Sequence, residues 1–214
     1  MEYKQIRNLK LFNGDNMEYM KDIPDSYYDL AVVDPPYEIE RFKHGSLRFD
    51  KTNKYKDGIK WDKAPEQDYF NELFRISKHQ IVWGANNFCM PKSEYFLIWD
   101  KEQTVDNFAC AEYAWVSPSL KTPAKVFRYS IHKHNHIDKI HPTQKPIKLY
   151  EWIYINYAKD GDKILDTHLG SGSSAIAAYN VNMGLSFDGI EIDKEYFDNS
   201  IKRIIIETRQ LELF

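Results

Sequence analysis

The sequence predicts an α/β fold built on a doubly wound, mostly parallel sheet. Short apolar runs closed by turn residues alternate with helical patterns along the whole chain. A glycine-rich loop follows one such run and opens a helical segment. The 214 residues are enough for one sizeable domain and too few for two ordinary ones, so a single domain over 1–214 is expected.

The elements follow in order. A strand ends near Phe12, before Asn13-Gly14-Asp15, and a short helix is expected over Met17 to Lys21. Tyr28 to Val33 (YDLAVV) is short, apolar, β-branched and closed by prolines, the pattern of a buried strand. Residues 38–63 are polar, basic and aperiodic and read as a long loop insertion. An amphipathic helix is expected from Pro65 to Lys78, with Pro65 in its first turn and Tyr69, Phe70, Leu73, Phe74 and Ile76 as its apolar set. Strands are expected at Gln80–Trp83, Tyr95–Trp99 and Ala109–Val116. Residues 117–140 again read as a basic loop, with an alternating stretch at Lys125 to Ile131. Then come a helix over Pro146–Tyr157, a strand at Lys163–Leu165, a helix over 173–182, a strand at Phe187–Ile192 and a closing helix over 194–210.

Apolar residues make up 43% and charged residues 29%, which reads as a soluble globular chain. No apolar run approaches the roughly 20 residues needed to cross a bilayer, and the first ten residues lack the apolar stretch of a signal peptide, so no membrane partner is expected. Cys89 and Cys110 form no Cys-x-x-Cys pair; they are expected to pack in the interior of a protein in a reducing cytoplasm. Net charge is −3, but its distribution is uneven. Arg41 to Lys63 holds eight Lys/Arg against three Asp, and Lys121 to Lys145 six against one. Two basic segments on an acidic body suit a groove that follows phosphates; taken alone they also fit two solvated loops. The alternation of His132, His134 and His136 would put them on one face of a strand, near His141, but no Cys or paired carboxylate joins them and no metal is expected. Trp83, Trp99 and Trp115 read as packing residues, and Trp61, in the basic segment, as the exception.

The segment Asp166-Thr-His-Leu-Gly170-Ser-Gly172-Ser173 lets a ligand approach the backbone at a helix start, and Glu191, at the end of the next strand, is placed to accept hydrogen bonds from ribose hydroxyls. This is also a passable dinucleotide fingerprint. Only 23 residues follow Glu191, however, so no second mononucleotide half can follow. Asp166, before the loop, suits a cationic group such as an amino-acid ammonium better than a pyrophosphate.

Asp34-Pro35-Pro36-Tyr37 directly follows YDLAVV, where open α/β sheets bind ligands. A base amino group is flat and poorly nucleophilic. The Asp34 carboxylate and the Pro35 carbonyl would accept its two hydrogens, the prolines would stiffen the turn, and Tyr37 would offer a stacking face for an extruded base. Out of context the tetrapeptide could be a rigid turn.

Together these residues resemble the DNA amino-methyltransferases, specifically the permuted beta class, in which the catalytic tetrapeptide comes early and the cofactor loop late. Gly14-Asp15 looks like the motif that contacts the cofactor adenine. Asp34 to Tyr37 matches the catalytic motif. His141-Pro142-Thr143-Gln144-Lys145-Pro146 matches the element that helps hold the methionine carboxylate. Asp166 to Ser173 looks like the cofactor loop, and Gly189-Ile190-Glu191 like the ribose-binding strand end. The resemblance spans Leu11 to Arg203. It implies a Rossmann-like S-adenosylmethionine-dependent methyltransferase fold with circularly permuted motif order.

It further implies S-adenosyl-L-methionine as cofactor, bound by Asp15, Asp34, Thr143, Lys145, Asp166, His168, Gly170, Gly172, Ser173, Glu191 and Asp193. Double-stranded DNA is the implied substrate, contacted by Arg41, Lys43, Arg48, Lys51 and Lys54 in one basic segment and by Lys121, Lys125, Arg128, His132 and Lys133 in the other. A homodimer, a cognate restriction enzyme and the cytoplasm of a bacterial or phage-infected cell complete the expectation. Asp at the first position of the tetrapeptide leans to N6 of adenine rather than N4 of cytosine. Thr167-His168 departs from the Pro-Phe usual in the loop. The rival readings are N4-cytosine or RNA methylation, a nucleic-acid-binding module without turnover, and a nicotinamide oxidoreductase.

Overall fold

The computed structural model describes residues 1–38, 62–106, 108–135 and 139–209. Arg41, Lys43, Arg48, Lys51, Lys54, Trp61 and His136 lie outside the described residues.

Among the described residues the chain forms nine strands in one sheet. They are β1 (Glu2–Ile6), β2 (Leu9–Asn13), β3 (Tyr28–Val33), β4 (Ser77–Trp83), β5 (Phe96–Asp100), β6 (Ala111–Val116), β7 (Lys125–Arg128), β8 (Lys163–Asp166) and β9 (Ser186–Glu191). Six α-helices accompany them: α1 (Asn16–Met20), α2 (Gln67–Ile76), α3 (Ile131–Asn135), α4 (Ile147–Tyr157), α5 (Ser173–Asn180) and α6 (Lys194–Arg209). None is long and apolar enough to cross a membrane.

The strand order is β1-β2-β9-β8-β3-β4-β6-β5-β7. The run from β2 through β9, β8 and β3 to β4 is parallel. β1 pairs antiparallel with β2, and β6 runs antiparallel between β4 and β5. The mostly parallel sheet expected from the sequence is therefore present, with antiparallel strands toward both edges.

Both faces are covered, and β3 shows why its residues read as one apolar run. Leu30 and Val32 join the core beneath α4, α5 and α6, with Leu149, Ile153, Ala175, Ile176, Phe197 and Ile204. Ala31 and Val33 point the other way, against Met20 of α1 and Tyr69, Phe70, Leu73 and Ile76 of α2. Trp83 and Trp99 pack in the first core and Trp115 in the second, as packing residues should.

Several expectations change in detail. The first thirteen residues form a hairpin rather than one strand: Arg7, at φ 56°, turns the chain so that Ile6 faces Leu9. All of β1 except Ile6 is exposed, so it carries no buried period to read. Pro65 lies ahead of α2, whose first residue is Gln67. That helix stops at Ile76 because Ser77 is already extended and starts β4 three residues earlier than expected. The segment 117–140, read as a loop, contains β7 and α3. Because residues 131–135 are helical, His132 and His134 do not share a face. His132 is exposed, while His134 is buried and donates from Nε2 to the Gln144 carbonyl at 2.6 Å. Cys89 and Cys110, expected inside, are both exposed: Cys89 lies in the connection between β4 and β5, and Cys110 just ahead of β6.

Candidate active site

The sheet changes direction between β3 and β8. From β3 the chain proceeds to β4 on one side, and from β8 to β9 on the other. Ligands of doubly wound sheets bind in the crevice at such a point, outside the carboxyl ends of the strands. Here a cleft of about 1570 Å³ opens there, lined by Asp15, the Asp34–Tyr37 turn, His141 to Lys145 and the 167–171 loop, with Glu191 on its far wall.

On the β8 side, Gly170 and Gly172 both take left-handed φ, 52° and 75°, which lets the loop curl tightly onto α5. Glu191 fastens it: Oε2 accepts from Gly170 N at 2.7 Å and Oε1 from Asp193 N at 2.9 Å. Asp166 is buried beneath the loop and accepts from His168 N at 3.0 Å and from the Ser174 hydroxyl. Burial raises both carboxyls, Asp166 to about 6 and Glu191 to about 7, with the backbone and hydroxyl donors opposing the shift. Gly172 faces Ile204 of α6 rather than the cleft, and Asp193 caps α6 by accepting from Tyr196 N. Ser173 Oγ donates to the Lys145 carbonyl at 2.8 Å, joining the loop to the 141–146 segment.

His168 occupies a polar pocket that the sequence did not foretell. Asn16 Nδ2 donates to its Nε2 at 3.2 Å, Thr167 Oγ1 lies 3.0 Å from Nδ1, and Tyr69 bonds Thr167 at 2.6 Å and stands edge-on to the imidazole. Burial lowers the imidazole to about 3 and keeps it neutral. His141 is likewise held neutral at about 3 by burial and by the neighbouring Lys145; its Nδ1 faces the Thr143 hydroxyl at 3.1 Å. Asp15 caps α1, accepting from Met17 N and Glu18 N through one oxygen.

On the β3 side, Pro35 is buried, and Asp34, Pro36 and Tyr37 are partly exposed along the cleft. Asp34 is ion-paired with the buried Lys145 ammonium. Lys145, placed by resemblance beside the methionine carboxylate, reaches 3.2 Å from Glu112 Oε2 as well, and Glu112 Oε1 meets Lys101 Nζ at 2.5 Å. Glu112 and Lys101 were not singled out from the sequence. The usable signal was Trp99-Asp100-Lys101 closing a strand and Glu112 opening the next. It becomes informative only once β6 is known to run backwards, which brings its first residues to the catalytic edge.

The second basic segment is divided by the sheet. Lys121 follows the end of β6, at the start of β4, and Lys125 begins β7 beside Leu97; both lie at the edge opposite Asp34. Lys125 is also tied to Asn156 at 3.0 Å. Arg128 ends β7 beside Asp100 on the Asp34 side, and His132 reaches the cleft wall. Lys133 is exposed on α3.

The residues present fit S-adenosylmethionine. Asp166 and Glu191 are buried acids whose ionised forms a cationic, hydroxyl-bearing ligand would favour, and the neutral ring of His168 and the backbone of Gly170 line the cleft beside them. When bound, the group supplies a methyl carried on an electrophilic sulfonium.

Comparison with known proteins agrees. The N6/N4 family model described as DNA methylase matches residues 47–203, which takes in the 141–146 segment, the glycine loop and Glu191, while Asp34 lies ahead of it. The type II methyltransferase M.HpaI of Haemophilus parainfluenzae is 37% identical over 234 residues, 91% of this chain and 74% of the relative. M.BglII of Bacillus subtilis, also a type II methyltransferase, is 27% identical over 242 residues, 88% of this chain and 67% of its own. The structure of M1.HpyAVI with SAM superposes at TM-score 0.60 and 20% identity, covering 91% of this chain and 99% of that one. The cytosine-N4-specific PvuII DNA methyltransferase superposes at 0.59 and 14%, covering 97% and 93%. At those identities the two structures establish the fold. With a family match across most of its length and a permuted motif order that the sheet brings together at one switch point, the chain belongs to the N6/N4 family of DNA methylases and uses S-adenosylmethionine as its cofactor.

Proposed function

We propose that the chain methylates N6 of adenine in double-stranded DNA, on a base turned out of the helix. The observation that carries this reading is the Asp34-Pro35-Pro36-Tyr37 turn at the switch point, next to the glycine loop. Asp34 and the Pro35 carbonyl take the two hydrogens of the amine, and the ring of Tyr37 stacks on the base. Asp34 need not remove a proton before transfer, because the methylated nitrogen is cationic and releases it readily afterwards. Positioning therefore supplies much of the rate. Asp at the first position of the tetrapeptide supports adenine over cytosine.

For the cofactor, Glu191 takes the ribose hydroxyls, Asp166 favours the ammonium through the loop, Thr143 helps hold the carboxylate, and Gly170, Ser173 and His168 shape the pocket. Arg128, His132 and Lys133 form the DNA-facing side of the second basic segment, with residues 38–63 as the second grip. The curated relatives are named as type II methyltransferases. That supports extending the proposal to a bacterial cytoplasmic enzyme paired with a cognate restriction enzyme, and to a homodimer whose second copy widens a small recognition surface.

The test is transfer of labelled methyl from S-adenosylmethionine to unmethylated genomic DNA, followed by nucleoside mass spectrometry, with Asp34→Ala as control. N6-methyladenine that disappears in the variant is the expected result. N4-methylcytosine would replace the base assignment, and label only in RNA would replace the substrate.

A further inference from the structure

Asp34 stands at one end of a row of four charges. Its carboxylate meets Lys145, Lys145 meets Glu112 at 3.2 Å, and Glu112 meets Lys101 at 2.5 Å. The signs alternate and sum to zero. The row crosses three strand ends: Asp34 follows β3, the reversed β6 supplies Glu112, and Lys101 follows β5 over the ring of Trp99. Lys145 is 7% exposed and Asp34 16%, so the row lies in the wall of the cleft rather than on the surface.

That arrangement bears on the chemistry. An Asp34 held only by a buried ammonium is already satisfied. To accept from a neutral amine it must give up part of that pair, and Lys145 would then be a buried cation with nothing to balance it. An ammonium has three protons and can serve two carboxylates together. Glu112 is the second carboxylate, and Lys101 in turn balances Glu112.

We propose that Glu112 is a positioning residue for methyl transfer, holding the Lys145 ammonium in place so that Asp34 can release it and accept the amine of the base. This rests on the reading of Asp34 as the amine acceptor. In this role Glu112 acts through Lys145 rather than on the reacting atoms.

Among the described residues, the charged and titratable groups around Asp34 are Lys145, Glu112, Lys101, Asp166 and Tyr150, with Tyr37 near Lys145 and Lys139 and His134 near Glu112. Burial raises the Asp34 carboxyl, Lys145 and Lys101 lower it, and Glu112 raises it. Loss of the Glu112 charge therefore lowers the Asp34 carboxyl and tightens Lys145 upon it.

The experiment compares the full chain with Glu112→Gln and Glu112→Asp. Three quantities are read: single-turnover methyl transfer to DNA across pH, cofactor affinity by calorimetry, and titration of the Asp34 carboxyl carbon by 13C NMR, assigned with Asp34→Asn. Glu112→Gln should slow transfer by about 10- to 100-fold at saturating DNA, with cofactor affinity held within about threefold. The acid limb of the rate and the Asp34 midpoint should both move down. Glu112→Asp should recover much of the rate.

Wild-type turnover in Glu112→Gln overturns the proposal, and so does a slower enzyme whose Asp34 midpoint has not moved. If Glu112→Gln does not fold, Lys101→Gln must move the Asp34 midpoint up, and an unmoved midpoint overturns the proposal there. A wild-type chain that leaves DNA unmethylated, with the Asp34 midpoint still dependent on Glu112, refutes the substrate reading while the Asp34–Lys145–Glu112 coupling stands.

Discussion

The ring of Tyr37 lies against the backbone of Gly84, so close that a Cβ on Gly84 would fall 3.1 Å from Cδ1 and Cε1 of the tyrosine. Gly84 follows β4 with φ 65°, the left-handed region. Gly84→Ala should cost about 1 kcal/mol from the backbone alone, seen as a lower melting temperature. It should also push Tyr37 from its resting place. Methyl transfer should then lose roughly tenfold in kcat/KM for DNA, an effect of misplacement rather than of lost chemistry. Cofactor affinity, measured by calorimetry, should stay near wild type.

Asp34→Asn keeps the shape of the side chain and removes its charge. Transfer should fall at least about 100-fold in single-turnover assays. The same change strips Lys145 of one of its two carboxylates, so a stability loss should accompany it, read by urea denaturation. Cofactor should still bind. Normal turnover in the Asp34→Asn variant would sink the assigned role.

Glu191 and Asp166 are raised by burial to about 7 and about 6. A ligand that favours their ionised forms binds with release of protons at pH 6, and more tightly as pH rises toward 8. Calorimetry in two buffers of different ionisation enthalpy measures that release directly. Glu191→Gln should abolish most of the pH dependence together with much of the affinity.

His141 and His168 work in the opposite direction on folding. Each is held near 3 in the folded protein and titrates near 6.5 when unfolded. The unfolded chain therefore binds more protons between these values, and stability is lost as pH falls from about 6.5 toward 3. Glu191, raised when folded, contributes the reverse: its effect lowers stability as pH rises from 4.5 to about 7. His168→Phe isolates the imidazole. It should flatten the loss of the urea midpoint between pH 7 and pH 4, with the Asn16 hydrogen bond given up in exchange.

Charge changes on the second basic segment should separate by edge. Arg128→Gln and Lys133→Gln should each weaken DNA binding and lower its salt dependence by about one unit of slope. Lys121→Gln, at the far edge of the sheet, should leave both unchanged. Fluorescence anisotropy across a salt series distinguishes the two.

Much of the site was legible because its signals are local. Tyr28–Val33 is apolar on both faces, and Asp34-Pro35-Pro36-Tyr37 follows it without a gap. The glycine loop likewise follows β8 directly and opens α5. The residues that escaped depend on partners far along the chain. Glu112 joins the site because β6 runs against its neighbours, and strand direction leaves no mark in composition. Tyr69 looked like one more apolar position of α2, yet its hydroxyl reaches Thr167. Alternating histidines suit a strand as well as a short helix, and α3, only five residues long, offers too few positions to tell the two periods apart.

The pairing of β2 with β9 joins Leu9 to Phe187 and Asn13 to Glu191. On the ribosome, the first hairpin emerges long before the strand it needs. Until residues 186–191 follow, β2 has no parallel neighbour and Gly14 has no Glu191 carbonyl to meet. Pairings of such long separation close late and slowly. The nascent chain therefore exposes the edge of β2 until residues 186–191 follow, and the floor of the pocket closes only then.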